Sequence, residues 1–189
     1  MEEKLAQQPS DCLKVVLFGP ESTGKTTLAV KLAEHFRTAV VEEYMREYLQ
    51  LKWDNFKKVC EPRDLIPIAA GQMRRENELS KTAGKLLLCD TDLLELKVYS
   101  EAYYHGYCNP LLLKHALNNW YDLYFLTNID TPWVPDDLRD KPHDREGMFK
   151  KFKSTLQLYK RPYIILSGNK EERFEKAVLA IDELLKQRN

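Results

Sequence analysis

Residues 19–27, "GPESTGKTT", contain the first pattern that could do chemistry. Gly19 and Gly24 bracket four residues, and Lys25 and Thr26 follow, which fits the G-x-x-x-x-G-K-[ST] phosphate-loop pattern. Glycines let the backbone approach a phosphate closely, successive N–H groups form an anion nest, and the N-terminus of the next helix favours negative charge. We therefore expect Lys25 to reach the β and γ phosphates of a nucleotide. The predicted nucleotide-binding residues of the loop are Gly19, Glu21, Ser22, Thr23, Gly24, Lys25, Thr26 and Thr27.

A second apolar run, "KLLLCDTD", ends in two carboxylates. Asp90 ends the run and Asp92 follows two residues later, at the carboxyl edge where open α/β sheets bind ligands. Phosphate-loop enzymes hold Mg²⁺ with the loop hydroxyl and such a carboxylate, so Thr26 and Asp90 are the predicted metal ligands. For the neighbours of Asp90 the alternative is structural, because Thr91 or Asp92 could cap the helix that follows.

The segment "VVEEYMREYL" carries a cluster of charged and aromatic residues just past another apolar run. Phosphoryl transfer to a hydroxyl needs a carboxylate that takes or orients the proton of the acceptor. Glu43 is the first candidate for this base, because it lies where the strand runs out, and Glu47 follows one helical turn later. The alternative is a solvated helix start in which Glu43 and Glu47 pair with Arg46.

Two further segments carry candidate acceptor contacts. Gln72 and Arg75 lie near one another on one face of the helix around "IAAGQMRRE" and could contact a sugar hydroxyl or a phosphate, or form an ordinary polar face. The segment "VYSEAYYHGYCNP" holds four tyrosines, which could wall a cavity for a flat ring or belong to the core. They are Tyr99, Tyr103, Tyr104 and Tyr107, of which Tyr103 is the predicted substrate contact.

The stretch of about 130–147 mixes prolines with alternating charges between two strand-like runs, which favours a mobile lid. Arg139 and Arg145 are its candidate catalytic cations, because arginines placed over a transferring phosphoryl group neutralise its developing charge. The alternative is a set of surface salt bridges with the aspartates of the same stretch. Beyond the last strand-like run, Ser167, Gly168 and Arg173 are candidates for contacts with adenine.

Short apolar runs that alternate with helical patterns predict the architecture. The expected strands are 13–18, 38–44, 85–90, 121–128 and 162–168, and their near-continuous apolar character indicates a parallel sheet covered by helices on both faces. Helix signals agree: Asn109 precedes Pro110, and Asn169 precedes Glu172 at capping-box spacing. The phosphate-loop pattern thus lies between a buried strand and an amphipathic helix, the context that separates it from a chance glycine turn.

Composition limits the classes of partner. The chain has 189 residues, which suits a single domain over 1–189 with a core of 13–188, and 29 basic against 29 acidic residues. Zero net charge provides no whole-protein field for nucleic acid or an anionic membrane. The four cysteines show no metal-binding spacing and are read as reduced thiols in or near the core. Without an apolar stretch of 18 residues or a signal-like start, we expect a cytoplasmic protein whose partner is a small molecule.

The chain resembles the ribosylnicotinamide-kinase domain of the NadR type, within the phosphate-loop kinase superfamily. The segments that carry the resemblance are, in order, "GPESTGKTTL", "EYMREYL", "AAGQ", "CDTD", "YDLYFL", "PWVPDDLR" and "DRE". The resemblance extends over nearly the whole chain. It implies a three-layer α/β fold with strand order 2-3-1-4-5 and a helical lid, the cofactors ATP and Mg²⁺, and transfer of the γ-phosphoryl to the 5′-hydroxyl of nicotinamide riboside.

The resemblance also implies positions for individual residues. It places Glu43, Tyr44, Arg46 and Asp92 near the acceptor, with Glu43 or Asp92 as the base, and Arg139 and Arg145 in the lid. Some members carry a tryptophan just before the "EY" pair that looks like a nicotinamide-stacking residue, and this chain has Glu42 there. Longer members also have a DNA-binding segment and an adenylyltransferase domain, for which 189 residues leave no room.

A second class of function is a nucleotide-dependent switch that binds partners and hydrolyses slowly. Its one hint is "NKEE" at 169–172, which is close to the N-K-x-D guanine-binding pattern. Glu172 stands where that pattern requires Asp, and a helix cap explains it better. A switch also has no use for a carboxylate cluster beneath an arginine lid.

Overall fold

A computed structural model describes residues 2–133 and 144–188 of the protein. The five strands are β1 (Leu13–Phe18), β2 (Val40–Val41), β3 (Leu86–Asp90), β4 (Leu123–Thr127) and β5 (Tyr163–Leu166). The helices in the described ranges are α1 (Lys25–Phe36), α2 (Tyr44–Phe56), α3 (Leu65–Ser80), α4 (Leu93–Tyr103), α5 (Pro110–Asn118), α6 (Arg145–Leu158) and α7 (Lys170–Gln187). Short 3-10 turns lie at Glu2–Leu5 and Pro62–Asp64.

The five strands form one parallel sheet in the order β2-β3-β1-β4-β5, which confirms the predicted fold class and strand order. β1 is central, and its register pairs Leu17 with Asp90 of β3 and Phe18 with Leu126 of β4. All five carboxyl ends therefore lie along one edge of the sheet, where ligands bind in open α/β folds.

Helices cover both faces of the sheet, as the apolar strands predict. On one face, Val16 and Phe18 of β1 pack into a core with α3, α4, α5 and α6. On the other face, Val15 and Leu17 pack with α1 and α7. Because alternate residues of a strand point to opposite faces, a strand buried on both sides must be apolar throughout, and β1 is buried at all six positions.

Helix starts agree with the sequence signals. Asn109 accepts a hydrogen bond from the Leu111 N–H, and Asn169 and Glu172 form a capping box at the start of α7. The second strand is shorter than expected, since β2 spans only Val40–Val41 and α2 begins at Tyr44. Only Val40 and Val41 pair with β3, and Glu42 and Glu43 connect this short strand to α2, with Glu43 as the N-cap.

The predicted lid falls largely on residues 134–143, which lie outside the described residues. On either side, the chain is described up to 133 and again from 144, and α6 begins at Arg145. The C-terminal end of the predicted lid, residues 145–147, is therefore the first turn of a helix that packs on the sheet through Phe152.

The helix α2 differs from the others because none of its thirteen described residues is buried. It packs on α3, where the ring of Tyr44 lies against Gly71. An added Cβ at position 71 would occupy the space of that ring, so the glycine allows α2 to approach.

Among the described residues, no helix combines the length and the apolar character needed to cross a membrane.

A buried charge network connects α3 to the rest of the fold, away from the carboxyl edge. Glu76 accepts hydrogen bonds from Lys14 Nζ at 2.9 Å, from the Tyr121 hydroxyl at 2.7 Å and from Gln7 Nε2 at 2.7 Å. Lys14 and Glu76 are both buried. Three donors for one carboxylate compensate the cost of taking its charge out of water.

We expect Glu76→Ala to destabilise the fold by about 3–5 kcal/mol, because it leaves the Lys14 ammonium buried without its partner. For a chain of this size that corresponds to a fall in melting temperature of roughly 6–20 °C. Thermal unfolding measures the effect. As a control, Glu47→Ala removes a half-exposed partner of Arg75 and should cost under about 1 kcal/mol. Equal losses in the two variants would contradict the assignment.

Candidate active site

The phosphate loop has the backbone of an anion site. Gly19, Ser22 and Gly24 have positive φ angles of 141°, 56° and 84°. A Cβ at Gly19 would lie 2.7 Å from the Thr127 hydroxyl, so only glycine allows the loop to approach β4 this closely. Gly24 is the N-cap of α1 and has no side chain that could cap that end. The first N–H groups of an α-helix have no partner within the helix, so those of α1 can bind an anion held in the loop.

Thr23 anchors the loop to the sheet. Its hydroxyl donates to the Pro20 carbonyl oxygen at 2.8 Å and shares a 2.7 Å hydrogen bond with the Thr127 hydroxyl of β4. Thr23 is buried, so this predicted nucleotide-binding residue holds the loop in shape from behind.

Lys25 folds back on its own loop. Its ammonium donates to the carbonyl oxygens of Gly19 at 2.6 Å and Pro20 at 3.1 Å, and lies 3.1 Å from Glu95 Oε1. The other oxygen of Glu95 accepts the Gly19 N–H at 3.2 Å. The carboxylates of Glu95, Glu43 and Asp90 together raise the pKa of Lys25, against the burial that lowers it.

Thr26 and Asp90 meet as predicted for a metal pair. The Thr26 hydroxyl donates to Asp90 Oδ2 at 2.5 Å, and Asp90 Oδ1 is buried with no hydrogen-bond partner among the described residues. Burial raises the pKa of Asp90, and the Thr26 hydrogen bond and Lys25 oppose the rise. A hydroxyl and an orphaned carboxylate oxygen at a phosphate loop fit Mg²⁺, which takes oxygen ligands from one or two side chains and completes its shell with phosphate and water.

Glu43 lies where the sequence places it, at the carboxyl end of β2. It is the N-cap of α2, and it lines a cavity of about 150 Å³ with loop residues 21–27, Arg46 and Tyr99. Burial raises the pKa of Glu43, opposed by Lys25 and increased by Asp90. Its position beside the loop therefore suits a proton acceptor with an elevated pKa.

Asp92 is buried and lines a small cavity together with Glu43. One oxygen accepts the Glu95 N–H at 2.9 Å, which caps α4, and the other accepts the Tyr124 hydroxyl at 2.8 Å. Burial raises the pKa of Asp92 to about 6. Gln72 shares the adjoining small cavity, where its Oε1 accepts the Tyr44 N–H at 2.7 Å and its Nε2 has no hydrogen-bond partner among the described residues.

A larger apolar cavity of about 350 Å³ opens beside the phosphate loop between α2 and α4. Trp53, Tyr99, Tyr103 and Tyr104 form much of its wall, so three of the four tyrosines line a cavity. Tyr107, by contrast, is exposed. The two cavities share Glu21, Met45, Leu49 and Tyr99. Tyr103 also donates from its hydroxyl to Glu21 Oε1 at 3.3 Å, which connects the cavity wall to the loop.

Arg145 lies against the loop at the start of α6. Its guanidinium donates to the carbonyl oxygens of Thr131 at 2.8 Å and Ser22 at 3.4 Å, and burial lowers its pKa. The structure therefore brings Arg145 together with the other predicted residues. Arg139, the second predicted lid arginine, lies outside the described residues.

Arg173, a predicted contact with adenine, is hydrogen-bonded within the protein. The buried guanidinium donates to the carbonyl oxygens of Thr23 at 2.8 Å, Asn128 at 3.0 Å and Gly168 at 3.0 Å, and to Asp130. These acceptors engage every nitrogen of the guanidinium, so Arg173 fastens the phosphate loop to the ends of β4 and β5. The Gly168 N–H donates to Asp130, and the Ser167 hydroxyl accepts from Asn128. Both residues therefore belong to the same group of hydrogen bonds between the ends of β4 and β5.

Two predicted acceptor residues are not brought to the cavities. Glu42 is exposed, and the Tyr44 ring packs on Gly71 with the Arg75 guanidinium 4.8 Å from its centroid. Glu47 pairs with Arg75. Sequence reasoning missed Glu95 and Trp53. The available signal for Glu95 was a charged residue within "LLELKV", a helix segment buried all round.

The fold and the loop define a phosphate-loop nucleotide-binding protein of the kinase type. A protein-family model described as an AAA domain matches residues 14–173, and the chain belongs to this family, AAA_28.

Two curated relatives of the chain are proteins of NAD biosynthesis. The chain is 32% identical over 125 residues to the trifunctional NAD biosynthesis/regulator protein NadR of Salmonella typhimurium and to that of Escherichia coli. Each match covers 66% of this chain, and the chain spans about 30% of the length of these relatives.

Among solved structures, NadR protein in complex with NR superimposes with a TM-score of 0.77 at 23% identity, covering 92% of this chain and 51% of the other. Deoxyadenosine kinase from M. mycoides reaches 0.69 at 14% identity, covering 90% of this chain and 100% of the other. These matches show that the fold is that of phosphate-loop nucleoside kinases.

We expect Arg173→Lys to destabilise the protein by about 2–4 kcal/mol, because lysine keeps the charge but cannot reach four acceptors at once, and each hydrogen bond to a charged group contributes about 1.5–3 kcal/mol. Urea unfolding measures the loss. Lys176→Ala, which removes one exposed bond to the Ile165 carbonyl oxygen, is the matched control. Normal stability with weakened ATP binding would instead make Arg173 a nucleotide contact.

Proposed function

We propose that the protein is an ATP- and Mg²⁺-dependent kinase that phosphorylates the 5′-hydroxyl of a nucleoside, and that this nucleoside is nicotinamide riboside. The observation that carries the proposal is the continuity of two cavities, one at the phosphate loop and one walled by aromatic rings, which share four residues. Residues 13–188 form the kinase unit in this proposal, and about 130–147 form its lid.

The donor side follows from the loop. The α1 N-terminus and the loop N–H groups bind the phosphates of ATP, and Lys25 neutralises charge at the β and γ positions. Thr26 and Asp90 would hold Mg²⁺, which supplies charge neutralisation between the β and γ phosphates when bound. Arg145, already against the loop at Ser22, adds positive charge where the transferred group develops negative charge. Arg139 is proposed to join it from the lid.

The acceptor side is proposed to bind a flat ring in the aromatic cavity. Rings of Trp53, Tyr99, Tyr103 and Tyr104 offer faces that attract an aromatic or cationic base. A nucleoside in this cavity directs its ribose toward Glu43, which lines the adjoining cavity at the loop. Glu43 then takes the proton of the 5′-hydroxyl as its oxygen bonds to the γ-phosphorus, while the bond from that phosphorus to the β,γ-bridging oxygen breaks and ADP leaves. We assign the base to Glu43 rather than Asp92, since both oxygens of Asp92 already accept hydrogen bonds.

Nicotinamide riboside is the proposed acceptor on two grounds. The curated relatives are named for NAD biosynthesis, and a solved structure of similar fold is a complex with NR. In addition, the cavity residues of this chain include Glu21 and four aromatic rings, a combination that suits a ring with a positive charge. Trp53 supplies the indole face that some members carry before the "EY" pair.

The switch alternative has no observation in its favour among the described residues. Asn169 accepts the Glu171 and Glu172 N–H groups at 3.0 Å, and Glu172 accepts the Asn169 N–H at 2.8 Å. Both side chains of the guanine-like pattern are thus used in the cap of α7.

A nucleoside panel tests the proposal. With ATP and Mg²⁺, the purified protein should phosphorylate nicotinamide riboside with a kcat/KM at least about tenfold above that for adenosine, cytidine or thymidine, which corresponds to about 1.4 kcal/mol. Product formation is read by chromatography and mass spectrometry, and folded Lys25→Ala is the inactive control. ATP hydrolysis unaffected by every nucleoside would overturn the kinase assignment, whereas activity on a different nucleoside would overturn only the acceptor.

Replacing Glu43 by Gln tests the proposed base. The substitution keeps the shape and removes the proton acceptor, so turnover should fall by about 10²- to 10⁴-fold while ATP affinity stays within about threefold. Steady-state kinetics and equilibrium binding measure the two quantities. Glu34→Gln makes the same chemical change at an exposed site on α1 and should be silent. A loss confined to ATP or Mg²⁺ affinity would make Glu43 a metal-shell residue.

A further inference from the structure

Glu95 is a buried carboxylate that the proposed reaction does not use. It lies in the first turn of α4 and is 1% exposed. The helix begins with the spacing of a capping box, Asp92 followed three residues later by Glu95, in which the second side chain normally reaches back to the N-cap N–H. Only half of that box forms. Asp92 accepts the Glu95 N–H, while the Glu95 carboxylate is directed to the phosphate loop.

The loop contacts of Glu95 involve the lysine that a nucleotide needs. The Lys25 ammonium donates hydrogen bonds to the carbonyl oxygens of Gly19 and Pro20 and forms an ion pair with Glu95 Oε1 at 3.1 Å, an oxygen that has no hydrogen-bond partner among the described residues. A phosphate in the loop therefore competes with Glu95 for the charge of this ammonium. Glu95 is the only one of the three that carries a charge, and it also accepts the N–H of Gly19 at the start of the loop.

We propose that Glu95 is a positioning residue for Lys25: its ionised carboxylate holds the ammonium back on the loop, competes with the phosphates of the nucleotide for it, and takes up a proton from solvent when the nucleotide displaces it. This inference rests on the proposed function, because it requires a nucleoside triphosphate in the loop. It adds a residue and a pH dependence that the phosphate-loop pattern itself does not contain.

The charges around Glu95 favour its protonated form. Burial raises the pKa of Glu95 to about 8, and the nearby carboxylates of Glu43 and Asp92 act in the same direction, whereas Lys25 opposes the rise. Tyr99 of α4 and Asp90 of β3 are the other titratable groups close to Glu95 or to Lys25. Moving Lys25 toward a phosphate removes a positive charge that stabilises the ionised carboxylate, and the phosphates add negative charge, so both changes favour proton uptake.

The sign of the pH dependence follows from linkage. Below about pH 8 Glu95 is largely protonated and does not compete for Lys25, so nucleotide binding is at its strongest. As the pH rises above 8 the ionised form accumulates, and nucleotide affinity falls by at most about tenfold per pH unit for one linked proton. Asp92, whose pKa is raised to about 6, is already ionised through this window.

Calorimetric titration of the full chain with Mg²⁺ and the non-hydrolysable analogue AMP-PNP tests the proposal at pH 7.5, 8.5 and 9.2. The wild-type affinity should fall by about five- to tenfold across this range. Glu95→Gln keeps the size of the side chain and an oxygen for the Gly19 N–H but cannot ionise, so its affinity should vary less than twofold and exceed that of wild type at pH 9.2. Glu101→Gln is the control on the same helix, since the partly exposed Glu101 pairs with Lys97 rather than with the loop and the amide keeps an oxygen for that partner, and it should match wild type.

A second measurement does not depend on any variant. At pH 8.5, binding heats in buffers of different ionisation enthalpy should show uptake of about half a proton or more per nucleotide by the wild-type protein. Parallel pH profiles for wild type and Glu95→Gln, or the absence of proton uptake, would overturn the role of Glu95. A protein that binds no nucleotide at any pH would instead overturn the proposed function.

Discussion

The pairing of β1 with β3 is the constraint on which the rest of the site depends. The register places Leu17 beside Asp90, so the strand that delivers the phosphate loop ends next to the strand that delivers the carboxylate. From there the Thr26 hydroxyl reaches Asp90 at 2.5 Å and Lys25 reaches the acids around it. In a sheet buried on both faces, a shift of one residue would turn every side chain of a strand to the wrong face. Packing of the two cores therefore also fixes the geometry of the site.

The site gathers carboxylates with raised pKa values beside Lys25 and Arg46. Asp90 and Glu95 are buried and Glu43 is half-buried, and burial raises the pKa of each of the three. Such an arrangement costs stability in the absence of a ligand, since each carboxylate is ionised less readily than in water. The fold tolerates it because the loop itself offers N–H groups and a helix N-terminus, and because the stabilising network at Glu76 lies elsewhere. A cation and a polyphosphate would join these charges in the proposed function.

The acceptor side rests on the least buried part of the fold. α2 carries Glu43 at its start and Trp53 near its end, yet none of its described residues is buried, and it is held mainly through α3. By contrast, eight consecutive residues of α4 are buried, from Leu93 to Ser100. The aromatic cavity thus has one wall built into the core and one wall of low contact density. Elements of low local stability are the ones that move when ligands bind, and this division suits a cavity that, in the proposed function, admits and releases a nucleoside.

The sequence by itself determined the class of fold and the residues of the phosphate loop. Continuous apolar strands require a sheet covered on both sides, and the phosphate-loop pattern specifies its own backbone, so Lys25, Thr26 and Asp90 could be placed from their spacing alone. The helix caps at Asn109 and Asn169 could also be predicted from the sequence, because a cap involves residues only two or three positions apart. Tertiary structure alone decided which polar side chains were left for chemistry. Asp92 and Arg173 form hydrogen bonds with residues 32 and 150 positions away in the sequence. Tyr44 packs on Gly71, and the Glu95 carboxylate contacts the phosphate loop rather than the start of its own helix. Such choices depend on contacts between distant segments, which local pattern does not encode.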